Sequence, residues 1–249
     1  MIIPEKTYHL SIDDVFDSLI DVSDRGISLF ENQFFRFCKS LHDEFGTNID
    51  LYLFYQKKVS NNIRTLKEVS SSLKDALMKN KWLRFGPHAL DPETPPYSQT
   101  PDEQVKAFNE IYKEIDRFSG NLSNFVRLHY FSESYELASY FREKGVLALL
   151  STDKDAVSWR IPDETKQELS TKGHVAYEGI EFIRSNFRLE NFANEKATAS
   201  NIASKIETNL NTYNFVTLFT HEYEVPRPEV RQATSAALKY LKDKKVSSI

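Results

Sequence analysis

Short apolar runs of strand length alternate with longer amphipathic stretches along this chain, and that alternation restricts its fold more than any other feature. The runs are TYHLSI (7–12), IDLYLFY (49–55), LRFGPHA (83–89), FVRLHYF (125–131), VLALLST (146–152), IEFIRSNFRLE (180–190) and FVTLFTH (215–221). Between them lie stretches with helical spacing at 28–46, 65–81, 100–118, 132–145, 198–213 and 227–245. Gly46 and Gly145 supply stops, and Thr100, Pro101 and Glu103 form an N-terminal signature of cap, first-turn proline and reciprocal partner. The rhythm predicts an α/β fold with a parallel sheet curled into a barrel. A length of 249 residues suits one domain over 1–249. Two stretches interrupt the pattern: LDPETPPYSQTP (90–101), and 156–177, read as a hairpin or flap. Both are expected to overhang the mouth of the barrel.

Composition narrows the class. Hydrophobic residues make up 40% and aromatics 13%, enough to build a core, so the chain folds rather than staying disordered. A formal net charge of −4 provides no basic field to neutralise a phosphate backbone, so nucleic acid is not an expected partner. Cys38 stands at helical spacing within FFRFCKSL and reads as a buried, reduced thiol. The start MIIPEKTYHLSIDD has no secretory-signal pattern, and no segment has the length of a membrane span. The expectation is a soluble, cytoplasmic protein; nothing in the sequence speaks to its oligomeric state.

Chemistry-capable side chains sit where the apolar runs end: Asp13 and Asp14 after YHLSI, His88 after WLRFGP, His129 after FVRL, and His221 after FVTLFT. In a barrel of parallel strands such ends converge on one mouth, and two carboxylates with three imidazoles form an inventory for a divalent metal. Each residue has a simpler reading. Asp13 and Asp14 can cap the helical stretch that follows, and His88 and His129 can be core histidines. Arg188 and Glu190 read as an ion pair inside the barrel or as partners for sugar hydroxyls, with the structural role favoured. Trp159 in the expected flap is a candidate for stacking on a sugar, Trp82 reads as core, and His9, His42 and His174 carry no functional reading.

Taken in order, LSIDDV, FGPHALD, RLHY and LFTHEYE make the chain resemble the polysaccharide deacetylase superfamily, the NodB-homology or carbohydrate esterase family 4 group. The resemblance implies a distorted (β/α)7 barrel and metal-dependent removal of an acetyl group from an N-acetylated sugar or polysaccharide precursor. It implies that Asp14 and His88 bind a divalent ion, zinc or a similar first-row metal, that Asp13 is the general base and His221 the acid, and that Arg127 holds Asp13. The chain departs from the family pattern at four positions, one of them His129, which stands where the family usually has proline. The second histidine expected four residues after His88 is Pro92, Ala89 stands where Ser or Thr usually follows, and Val15 replaces a glycine. Asp91 or His129 would then supply the third ligand. The alternatives are a non-catalytic carbohydrate-binding relative and a hydrolase of another carbon–nitrogen bond.

Overall fold

Every residue of the run 49–54 is buried, as a strand covered on both faces requires, and the other apolar runs collect around it. A computed structural model describes residues 4–154 and 160–249, so Trp159 lies outside the described residues. Its strands are β1 (Thr7–Val15), β2 (Ile49–Phe54), β3 (Gln56–Val59), β4 (Asn62–Thr65), β5 (Leu83–Ala89), β6 (Phe125–Val126), β7 (Ala148–Ser151), β8 (His174–Tyr177), β9 (Ile180–Arg184), β10 (Phe187–Arg188), β11 (Phe215–His221) and β12 (Ser247–Ser248).

One sheet runs β10-β11-β1-β2-β5 with β12 beside β1, and a second runs β6-β7-β9-β8. All these pairings are parallel except β8 with β9. A parallel bridge from Phe85 to Leu122 links β5 to the segment before β6. Across the other seam, the Thr217 amide and the Asn186 side chain bond at 2.9 Å. The result is a distorted (β/α) barrel, as expected, with its seams closed by a few bonds rather than full ladders.

The helices pack their apolar stripes against the outside of the sheets. The helix Pro101–Phe118 starts as its sequence dictates: the Thr100 hydroxyl accepts from the Glu103 amide, and the Glu103 carboxylate accepts in return from the Thr100 amide at 2.8 Å. It buries Phe108, Ile111, Ile115 and Phe118, each contributing roughly 1.5–3 kcal/mol of apolar burial. Other expectations need correction. The stretch 65–81 is not one helix; only Lys74–Lys79 is α-helical, because the Ser70 hydroxyl caps the Ser72 amide and restarts the chain. Residues 132–145 likewise contract to the helix Ala138–Glu143. Of the expected flap, Asp163–Lys172 is a helix and His174–Tyr177 pairs with β9. The β3–β4 hairpin has no counterpart in the sequence reading. Among the described residues, no helix is long and apolar enough to cross a membrane.

Candidate active site

Strand alternation sends Ser11 and Asp13 to one side of β1 and would send Asp14 to the other. The chain avoids this with a bulge. The β1–β2 register slips between Ile12 and Val15, and Asp14 takes a left-handed conformation with φ +62°. The strand therefore runs on to Val15 instead of ending in a loop at Asp13, and both carboxylates line one cavity. Left-handed backbone at a non-glycine residue concentrates at functional sites, and aspartate is among the side chains that tolerate it best.

Asp14 Oδ1 lies 3.0 Å from His88 Nε2 and 3.4 Å from His129 Nδ1, and the two ring nitrogens are 3.2 Å apart. The far nitrogen of each ring fixes its tautomer. His88 Nδ1 faces the Arg127 carbonyl at 2.7 Å and His129 Nε2 faces the Pro92 carbonyl at 3.3 Å, and a carbonyl only accepts. Those nitrogens carry the hydrogens, which leaves His88 Nε2 and His129 Nδ1 as lone pairs aimed at a carboxylate oxygen with no hydrogen-bond partner. Three electron-pair donors so placed call for a cation among them, and backbone carbonyls behind ligating imidazoles are the usual support for one. One ligand atom from each of Asp14, His88 and His129 lies within 4.8 Å of the others, so the donor set fits a small divalent ion.

Asp91 is elsewhere. Its carboxylate accepts from Gln56 Nε2 at 3.0 Å and from the Thr94 amide at 2.7 Å, which ties down the loop after β5. Between the two residues suggested for the third position, His129 is the one beside Asp14 and His88. It gets there because β6 stops at Val126 and the chain turns through Tyr130 and Phe131, both left-handed with φ +55° and +53°. Sequence pattern gave no sign of this; FVRLHYF reads as one continuous strand.

Asp13 is 2% exposed and accepts from Arg127 Nη1 at 3.0 Å. Arg127, itself 1% exposed, also donates to the Ser11 and Ser185 hydroxyls, at 2.6 Å and 3.1 Å, and lies 4.2 Å over the Phe219 ring. Asp13 and His221 are register partners on β1 and β11. His221 Nδ1 stands 2.8 Å from Glu190 Oε1. Burial opposes charge on this ring, but Glu190 and then Asp13 outweigh it, and the His221 pKa lies above its ordinary value. Glu190 is thus drawn to His221, while Arg188 forks onto Asp153 at 2.8 and 2.9 Å and sits 3.9 Å from Glu190. Glu190 was legible as an ion-pair or sugar-hydroxyl candidate, but its place beside His221 was not, because no local pattern connects the two; Ser11, Ser185 and Tyr223 carried no signal in the sequence.

Asp13, Asp14, His88, Arg127, His129, Arg188, His221 and Tyr223 line one cavity of about 450 Å³ at the strand ends, with Pro92 of the 90–101 stretch also in its lining. Cys38 is fully buried away from it, and burial raises its thiol pKa.

No protein-family model matches the chain, and no curated protein matches it. Solved structures do. A peptidoglycan N-acetylglucosamine deacetylase matches with TM-score 0.58 and 10% identity over 99% of this chain and 86% of that one. A family 4 carbohydrate esterase from Streptomyces lividans matches with TM-score 0.52 and 10% identity over 97% and 91%. A 4-alpha-glucanotransferase from Thermococcus litoralis matches with TM-score 0.57 and 10% identity over 99% of this chain, which spans 39% of that one. The fold is that of the polysaccharide deacetylases, and the resemblance read from the motifs holds at that level. The glucanotransferase shows that the fold alone does not settle the reaction.

Proposed function

We propose that this protein is a metal-dependent deacetylase acting on an N-acetylated sugar or glycan. The observation that carries the reading is the convergence of Asp14, His88 and His129, with their lone pairs facing one another, in the cavity that also holds Asp13 and His221. Asp14, His88 and His129 hold the ion, with zinc as the best match to two imidazoles and one carboxylate. When bound, it supplies Lewis-acid polarisation and a nucleophile at neutral pH.

The chain's own residues do the rest. Asp13, oriented by Arg127, accepts the proton of the attacking water. His221, whose imidazolium form Glu190 favours, gives a proton to the departing amine nitrogen, which would otherwise be a poor leaving group. Carbohydrate as the substrate class rests on the names of the structures that share the fold.

The test is bound metal per chain by plasma mass spectrometry after reconstitution, paired with acetate release from N-acetylglucosamine oligomers. Near-stoichiometric metal with release of acetate is expected, and both should be lost in Asp14→Ala. Metal-free glycan binding with no acetate released would replace this reading with a non-catalytic binding protein.

A further inference from the structure

Of the three residues proposed to hold the ion, Asp14 and His88 ride on β1 and β5, where strand ladders fix the backbone, whereas His129 stands past the end of β6 in a turn. Its ring must be aimed by other means. Phe54 meets the ring edge-to-face with centroids 4.9 Å apart, which restricts its plane but not which nitrogen faces Asp14. That choice falls to the carbonyl behind it, Pro92 O, 3.3 Å from Nε2.

Proline has no N–H of its own, so the Pro92 peptide is held by its neighbours. Asp91 holds it with both oxygens. Oδ1 accepts from the Thr94 amide at 2.7 Å and closes the turn around Pro92, while Oδ2 accepts from Gln56 Nε2 at 3.0 Å. Gln56 is the first residue of β3. The Tyr55 and Gln56 amides donate to the Ala89 and Leu90 carbonyls at 3.1 and 2.9 Å, which carries the β2–β5 pairing past Phe54 and up to Asp91. A two-stranded hairpin is marginal on its own. This one is docked on the helix Asp17–Arg25 by Lys57, 2.5 Å from Asp17, and by Arg64, whose fork takes both oxygens of Asp24 at 2.6 and 2.8 Å. The side chain that the docked hairpin delivers toward the site is Gln56.

We propose that Asp91 and Gln56 are positioning residues for the third ligand. They fix the Pro92 carbonyl, which keeps the His129 hydrogen on Nε2 and presents Nδ1 to the ion. The inference rests on the metal site of the proposed function and assigns ligation through Nε2 of His88 but through Nδ1 of His129. The Asp91 carboxylate thus serves the site without touching the ion, and the β3–β4 hairpin gains a role in it.

Nitrogen–proton correlation NMR of the metal-free chain, labelled at histidine and held at mildly alkaline pH, reads the tautomer of each ring. His129 should carry its hydrogen on Nε2 in the parent and populate both tautomers in Asp91→Ala and in Gln56→Ala, while His88, held by the Arg127 carbonyl, stays unchanged. Zinc affinity, by competition with a chromophoric chelator, should fall about 10–100-fold in both variants. It should recover in Asp91→Asn, which keeps an acceptor for the Thr94 amide. In the cadmium-substituted parent, metal–nitrogen coupling should appear at His88 Nε2 and His129 Nδ1. Should Asp91→Ala fail to fold, Gln56→Ala, at a partly exposed position, carries the same test. Coupling at His129 Nε2, or a tautomer and zinc affinity unchanged in the variants, would overturn the positioning role. A parent that binds neither ion while the variants still lose the His129 tautomer would overturn the metal reading and leave the positioning of His129 standing.

Discussion

Asp13 and Asp14 are consecutive, yet their carboxylates serve opposite sides of one cavity: Asp13 Oδ1 accepts from Arg127 at 3.0 Å while Asp14 Oδ1 faces His88 Nε2 at 3.0 Å. The left-handed backbone at Asp14 makes this division possible. It also separates two effects of mutation. Asp14→Ala and Asp14→Gly should both lose metal affinity by more than about 100-fold, beyond what disturbing a ligand's supporting bonds produces. Only Ala keeps the left-handed strain, so Asp14→Gly should be about 1 kcal/mol more stable than Asp14→Ala by urea unfolding of the metal-free proteins. Equal stabilities would mean that the bulge relaxes in the variants.

Arg127 and Asp13 form a buried ion pair in which each partner is 1–2% exposed. Arg127→Met strands a buried carboxylate and should cost about 3–5 kcal/mol. The double variant Arg127→Met/Asp13→Asn should recover a large part of that loss. A double-mutant cycle in denaturant reads the coupling directly, and additive losses would show that the pair is not a unit.

His221 gives a prediction in pH. Its folded pKa lies above the ordinary 6.5. A raised histidine pKa contributes stability that is fully present below about 6.5 and is lost as pH climbs through the folded pKa. Glu190→Gln removes the partner at 2.8 Å, so the His221 pKa should fall and this part of the pH dependence should flatten. Proton NMR titration of the metal-free chain, parent against variant, provides the measurement; an unchanged pKa would show that Glu190 does not govern the ring.

Glu222 accepts from three consecutive amides, those of Phe16, Asp17 and Ser18, and so caps the helix Asp17–Arg25 from the far end of the chain. Helix caps from within the local sequence are worth about 1 kcal/mol. Glu222→Ala leaves three donors without their acceptor at once, two of them buried, and should cost about 2–4 kcal/mol. Glu222→Gln, which keeps an acceptor, should lose less. Equal losses in the two variants would show that the carboxylate acts by charge alone.

Apolar period and caps made the barrel legible in the sequence, because local patterns set strand and helix identity. The capping box at Thr100 and the run 49–54 illustrate this. The position of Asp13 and His221 at strand ends was equally visible. The hidden parts depend on contacts made far along the chain or on single backbone angles. Glu190 meets His221 only after β11 is in place, and His129 swings toward Asp14 only because β6 stops early and Tyr130 and Phe131 turn left-handed. The helix predicted over 65–81 failed because Ser70 offered the backbone a competing bond.

The site is divided along the chain as well as across the cavity. Asp14, His88 and His129 all lie in the first 129 residues, whereas His221 arrives on the last long strand, and the Glu222 clasp joins positions 206 apart. Such distant pairings form late, because closing a long loop carries an entropic penalty before any contact repays it. The residues proposed to hold the ion and the residue proposed to donate the proton therefore come from opposite ends of the chain, and only the closed sheet brings them to one cavity.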